Sequence, residues 1–196
     1  MVSISAQQIK ELREKTGAGI ADVKHALEES GGDMAKAEHL IEKKFGGVAE
    51  KKASREIKAG LVEAYVHSNG RIGVLVEVGC ETDFVARNPQ FKEFAHDIAM
   101  HIAAMAPIYF SLDSIPPEIW QAEKSRFEEE TLGMSKRENI VEKIVEGKLK
   151  DHFGAISLLS QQFIKDQDKT VGDVMNEAVG KFGENIKIAK FIRFEI

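Results

Sequence analysis

The stretch from Leu61 to Val78 constrains the fold more than any other. Ile72, Val74, Val76 and Val78 recur at every second residue, the period that sends side chains to one face of a strand. Leu61 to His67 also reads as a strand. Between the two runs, Asn69-Gly70 offers the positive φ angles that a two-residue type I′ turn needs. Turn and alternation agree on an antiparallel hairpin with one buried face. Some other part of the chain must cover that face.

Helices are the available cover. Ser5 with Gln8 forms a capping-box start, Ile9 and Leu12 follow on one stripe, and Gly17 predicts a stop. A second helix carries Ile20, Val23, Ala26 and Leu27 at three- and four-residue spacing and ends at Ser30-Gly31-Gly32. Asp33 caps a third, with Met34, Ala37, Leu40, Ile41 and Phe45 inward and Gly46-Gly47 as its close. Three short amphipathic helices bury their stripes only against one another, so a three-helix bundle is expected over about residues 1–46. Such a bundle is marginal alone. It resembles a ubiquitin-associated-type module, a shape used for binding. Val48 to Lys58 then reads as a linker or helix extension. Its cations Lys51, Lys52, Arg55 and Lys58 are either a solvated connector or a contact for an acidic partner.

After the hairpin, Asn88-Pro89 predicts an N-cap followed by proline at the first helical position. That helix should run to about Ala106, with Phe91, Phe94, Ala95, Ile98, Ile102 and Met105 inward. Tyr109 to Pro117 reads as a loop. Helices follow over about Glu118–Leu132, polar enough to project, and Lys136–Phe153, with Ile140, Ile144 and Leu149. Leu158 to Ile164 is a short strand or a buried loop. Thr170 with Asp173 starts a last helix carrying Val171, Val174, Met175, Ala178 and Phe182, ended by Gly183. A final strand should place Ile186, Ile188, Ile192, Phe194 and Ile196 on one side. The expected class is therefore α+β: an N-terminal three-helix, ubiquitin-associated-like bundle followed by an antiparallel sheet packed by helices. The expected division is a helical head and linker over 1–55 and an α+β core over 56–196.

Charge and cysteine content narrow the function. The net charge is -5 over 196 residues, without the basic excess that attracts phosphates. Residues 1–55 hold ten Lys and Arg against nine Asp and Glu, while the remainder holds 17 against 23. Nucleic acid is not an expected partner. A single cysteine, Cys80, forms no intrachain disulfide and fits a reducing compartment. No apolar run approaches the roughly 20 residues that span a bilayer, and the start Met1-Val2-Ser3-Ile4-Ser5 lacks a signal core. A cytoplasmic location without membrane contact is expected.

The chemistry of an enzyme is not evident. Neither a phosphate-binding G-x-x-x-x-G-K-[ST] loop nor a G-x-G-x-x-G after a strand occurs. Gly17-Ala18-Gly19 opens a helix without a preceding strand and reads as a turn. His96 and His101, five apart on a helix, stand about 140° out of phase and share no face for a metal. Cys80 reads as a half-buried strand-end residue. The run Glu128-Glu129-Glu130 reads as a solvated helix face. No cofactor and no metal are expected.

Thr82-Asp83-Phe84-Val85 lies between a buried strand and a proline-initiated helix. Spacing alone leaves two readings open. Phe84 packs the next helix while Asp83 caps a turn, or Phe84 is an exposed wedge that gains roughly 1.5–3 kcal/mol on entering a partner.

Five blocks, in order along essentially the whole chain, carry a resemblance. They are Leu12 to Lys24 (LREKTGAGIADVK), Cys80 to Asn88 (CETDFVARN), Ile144 to Leu149 with Leu158-Leu159 and Phe163 to Asp166, Lys169 to Asp173 (KTVGD), and Phe191 to Glu195 (FIRFE). Together they resemble the bacterial elongation factor Ts family. Two positions depart from its pattern: Gly79, where a polar residue is usual, and Gln162, where proline is common.

The resemblance implies a non-enzymatic guanine-nucleotide exchange factor that binds elongation factor Tu, GDP-bound and nucleotide-free, and promotes GDP release with displacement of magnesium. It implies that Phe84 wedges between partner side chains, that Asp83 disturbs the magnesium site, and that Thr82 and Val85 hold the loop's shape. Thr16, Gly17, Ala18 and Gly19 of the head would contact the partner's nucleotide-binding domain. Longer members carry two related core subdomains, and this chain has room for one, so either one copy suffices or two chains pair to rebuild the doubled surface; a homodimer through the exposed sheet is expected, with 56–196 as its dimerisation domain. The alternative is an adaptor of the same architecture without effect on nucleotide.

Overall fold

A computed structural model describes residues 4–131 and 138–196. In chain order its helices are α1 (Ala6–Thr16), α2 (Ile20–Glu29), α3 (Met34–Lys52), α4 (Asp83–Arg87), α5 (Pro89–Met105), α6 (Pro117–Thr131), α7 (Glu138–Ile156) and α8 (Val171–Phe182). The strands are β1 (Ala59–Val66), β2 (Ile72–Cys80), β3 (Gln162–Phe163), β4 (Asp166–Thr170) and β5 (Lys187–Glu195). The expected helix bounds at Leu132 and Lys136 lie outside the described residues. Two compact units emerge, Met1–Met100 with Asp173–Ile196, and His101–Gly172.

In the first unit, α1 begins with the expected reciprocal bonds between Ser5 and Gln8. It stops at Gly17, whose φ of 68° suits glycine. Leu12, Ala18, Val23, Ala26, Leu27, Ala37, Ile41 and Phe45 form the shared core of α1, α2 and α3. The expected close of α3 at Gly46-Gly47 does not occur, since the helix runs on to Lys52. Two interior glycines cost about 2 kcal/mol of helix propensity. Tertiary packing offsets that: buried Phe45 seats its ring against Gly180 of α8, where any Cβ would collide with it.

The sheet is antiparallel in the order β1-β2-β5, so the α+β expectation holds. The connection from β1 to β2 differs from the type I′ expectation. Gly70 has φ of 66° but Asn69 does not have a positive φ. Gly70 N–H donates to the His67 carbonyl, and His67 N–H to the Ile72 carbonyl. Residues 68–71 therefore form a longer loop with one left-handed position. Asn69 instead accepts a hydrogen bond from Arg71 N–H through its side chain, an alternative open to Asn in turns.

Val74, Val76 and Val78 are buried as the alternation required. The β5 expectation fails for a specific reason. Val78 pairs with Ile188 and Glu77 with Lys190, so Ala189 is an extra residue in a bulge. A bulge shifts the phase of a strand. Ile188 faces the core, but Ile192, Phe194 and Ile196 fall on the outer side. Much of that side is apolar: Val62 and Val66 of β1, Leu75 of β2, and Ile192 and Phe194 of β5 are exposed there, with the charged pair Glu77 and Lys190 in register with Val62. On the inner side, Tyr65 meets His96 of α5 edge-on at 5.6 Å, His96 bonds Glu63 at 2.9 Å, and Phe91 meets Phe182 of α8 at 5.6 Å. The start of α5 is as expected, with Gln90 N–H donating to Asn88 Oδ1.

In the second unit, α6 lies against α7 instead of projecting. Ile115, Phe127, Val145, Leu149 and Phe153 form its core, and Trp120 stacks on Phe153 at 4.6 Å. The α7 stripe is thus Val145-Leu149-Phe153, one residue out of phase with the expected Ile140 and Ile144. Met105, expected inward, is 43% exposed at the end of α5. Leu158–Ser160 is a single 3-10 turn leading into the β3–β4 pair. His101 is buried there. Its Nδ1 accepts from Ile164 N–H at 3.2 Å, so Nε2 carries the proton and donates to Gln161 Oε1 at 3.0 Å. Burial holds its pKa below the ordinary value, which keeps the ring neutral.

Candidate functional site

The site begins where β2 ends. Cys80 is fully buried, not half-buried as expected, and its Sγ donates to the Thr82 carbonyl at 3.2 Å. Burial and the nearby Glu184 charge push the thiol pKa up. It stays protonated and serves as packing, not as a nucleophile. Gly79, one of the two departures noted above, leaves room for the Ile57 side chain, which a Cβ there would crowd.

Thr82 caps the single turn of α4, its hydroxyl accepting from Val85 N–H at 3.5 Å. A helix of five residues does not hold itself, because the nucleus costs more than one turn returns. The support comes from far away in the chain. Glu184 Oε2 accepts from Glu81 N–H at 2.9 Å and Thr82 N–H at 3.0 Å, while Glu184 Oε1 accepts from the Thr82 hydroxyl at 2.6 Å. The exchange is mutual, since Glu81 Oε1 accepts from Asn185 N–H at 2.6 Å. Asn185 is buried, and its side-chain amide donates to the carbonyls of Arg55 and Ala53 at 2.7 and 3.4 Å. Arg55 Nη1 lies 3.5 Å from Glu81 Oε1. The Asn185 N–H and then the Arg55 charge hold the Glu81 carboxyl below its ordinary pKa.

This arrangement excludes the core-packing reading of Phe84. The side chain is 89% exposed, so it is not core. Asp83 is exposed beside it and meets Arg87 one turn on at 3.7 Å, a surface pair worth little. Val85 is half-buried and Ala86 buried. The turn is therefore anchored by Thr82 and Ala86 and presents Asp83 and Phe84 outward.

The head segment has a different construction. The Thr16 hydroxyl donates to the Leu12 carbonyl at 2.7 Å and accepts from Ala18 N–H at 3.3 Å. Gly17 N–H donates to the Arg13 carbonyl at 2.8 Å. Gly17 and Gly19 are exposed, but Ala18 is buried in the helical core, so its side chain offers no surface. The stem of Lys181 lies over Gly17, where a Cβ would come 3.2 Å from Lys181 Cδ. Among the described residues no hydrogen bond or ion pair joins Thr16–Gly19 to Thr82–Val85.

The connector cations are largely engaged at home. Lys52 Nζ donates to the Gly183 carbonyl at 2.6 Å, Arg55 faces Glu81, and Lys58 pairs with Glu56 at 3.1 Å. Among the described residues no group of His, Cys, Asp and Glu could hold a metal ion, and no helix is long and apolar enough to cross a membrane. Sequence reasoning missed Glu184 and Asn185 as parts of this site. Gly183 marked a helix end, but nothing local says that the next two side chains reach a turn about 100 residues earlier.

The family model described as Elongation factor TS matches residues 6–196. The chain is 50% identical over 193 residues to "Elongation factor Ts" of Carboxydothermus hydrogenoformans, covering 98% of this chain and 89% of that protein. It is 47% identical over 195 residues to "Elongation factor Ts" of Fervidobacterium nodosum, covering 100% and 99%. It is 46% identical over 196 residues to "Elongation factor Ts" of Desulfosudis oleivorans, again covering 100% and 99%. With the family model and full-length relatives in agreement, the chain belongs to the elongation factor Ts family.

Proposed function

We propose that this protein releases GDP from elongation factor Tu by inserting the rigid turn Thr82–Val85 near the partner's nucleotide site. Family membership makes the chain a nucleotide exchange factor of translation elongation, not an enzyme. The observation that carries the loop reading is an exposed Phe84 on a turn whose backbone is fixed before any partner arrives. A preordered wedge loses little entropy on docking, so more of its burial energy goes into the complex. Phe84 enters between partner side chains. Asp83 brings a negative charge toward the magnesium site and weakens the ion's hold. Without magnesium the phosphate charge is less compensated and GDP leaves.

Linkage makes this sufficient. If the protein binds its partner more tightly when GDP and magnesium are absent, GDP must bind less tightly when the protein is present, by the same factor. The head and linker, 1–55, act as the partner-binding module, with the exposed backbone at Gly17 and Gly19 touching the nucleotide-binding domain. Translation elongation places the protein in the cytoplasm.

The remainder, 56–196, serves as core and dimerisation domain. We assign the homodimer contact to the outer sheet face, where Val62, Val66, Leu75, Ile192 and Phe194 are exposed together. Contiguous apolar faces of this kind mark association surfaces, and a two-fold contact uses the same face from both copies.

Fluorescent GDP loaded on elongation factor Tu tests the reading. Added protein should accelerate release many-fold, and no acceleration would leave only the adaptor alternative. Sedimentation should give a dimer at micromolar concentration; a monomer with full exchange activity would overturn the dimer assignment.

A further inference from the structure

We infer that Glu184 is a positioning residue for exchange, the side chain that fixes Thr82–Val85 in the shape presenting Phe84. This rests on the proposed role of that turn and extends it to a residue about 100 positions away. The geometry is specific. Both carboxylate oxygens of Glu184 are directed at one turn, taking Glu81 N–H, Thr82 N–H and the Thr82 hydroxyl at 2.9, 3.0 and 2.6 Å. Bonds to an ionised acceptor are about twice as strong as neutral ones. By accepting the hydrogen bond that the Thr82 hydroxyl donates, Glu184 also turns the hydroxyl lone pairs toward Val85 N–H, the bond that starts α4.

Glu184 is itself held on a firm base. Gly183 before it receives Lys52 from the end of α3. Asn185 after it is buried and bonded to Glu81, Ala53 and Arg55. The aim of Phe84 is thus set by the short segment Gly183–Asn185. Partner-contacting side chains perform best when their supports are locked in this way. The same end of α8 also supports the head, through Gly180 under Phe45 and Lys181 over Gly17. One helix terminus therefore steadies both proposed partner-facing segments.

The test is a double-mutant cycle on GDP release at saturating factor. Glu184→Ala should lower the limiting rate about tenfold. Combined with Phe84→Ala it should lower the rate no further than Phe84→Ala alone, because both act through one wedge. Glu184→Gln, which keeps an acceptor for the two backbone N–H groups, should recover most of the rate. Hydrogen exchange at Thr82 and Val85 should quicken in Glu184→Ala while the amides of α5 stay protected; general destabilisation would quicken both. If Glu184→Ala does not fold, Thr82→Val, which removes the hydroxyl donor, carries the same cycle. A wild-type limiting rate for Glu184→Ala beside a slow Phe84→Ala overturns the inference alone, as does a fully additive double variant. Full activity in Phe84→Ala overturns the loop reading, and the inference with it.

Discussion

Thr16–Gly19 and Thr82–Val85 are both short turns at the end of a regular element, and both belong to the same compact unit. Their supports differ in origin. The first is shaped by neighbours in sequence: a left-handed glycine, a threonine that bonds four residues back, and a buried alanine two residues on. The second is shaped mainly by Glu184 and Asn185. A turn whose hydrogen bonds are local is written in its own sequence, even where distant residues such as Lys181 pack over it. A turn clamped from afar forms only once the unit has folded, and its shape answers to residues about 100 positions away.

Substitutions in either turn test this difference. Gly17→Val forces a β-branched residue into left-handed backbone beneath the Lys181 stem. We expect a stability loss of about 1–2 kcal/mol, read by urea unfolding, with a raised half-maximal factor concentration in exchange. Thr82→Ala removes a cap and the hydroxyl that Glu184 grips. It should cost about 1 kcal/mol locally, seen as faster hydrogen exchange at Val85 and Ala86 with the head unchanged.

Acid should separate the two turns further. The Glu81 carboxyl titrates below its ordinary value, so its ionised form stabilises the folded clamp above that value. The contribution is lost as pH falls through the lowered pKa. Below about pH 4, NMR shifts at Thr82–Val85 should move before those at Thr16–Gly19, whose shape depends on no titrating side chain. His101 acts in the second unit at milder pH. Its folded pKa is depressed, so its contribution is present at neutral pH and declines as pH falls below about 6.5. His101→Gln should flatten that decline in thermal unfolding.

These contrasts also explain what the sequence discloses. The head is legible because caps and stripes are local: Ser5 with Gln8, Asp33, Leu12, Val23 and Leu27 all act within a few residues of one another. The β2 alternation is legible for the same reason. Legibility ends where distant packing decides. Gly46-Gly47 suggests a stop, but Phe45 packed on Gly180 carries the helix through. The Ala189 bulge turns Ile192 and Phe194 outward, which alternation alone cannot show. For Thr82–Val85, residue type located the turn, the family resemblance suggested its role, and only the three-dimensional arrangement showed Phe84 outward with Glu184 beneath it.

On the proposed reading Phe84, exposed and held in place, is the element that loosens GDP. The most direct measurement is the limiting rate of fluorescent GDP release from elongation factor Tu at saturating factor, compared for the wild type, Phe84→Ala and Lys51→Ala. Losing roughly 1.5–3 kcal/mol of side-chain burial should slow Phe84→Ala roughly ten- to a hundredfold, with thermal stability unchanged because the side chain contributes nothing to the core. Lys51→Ala, an exposed change at the end of α3, should stay near wild type. Equal rates for the two variants would mean that Phe84 is not the wedge.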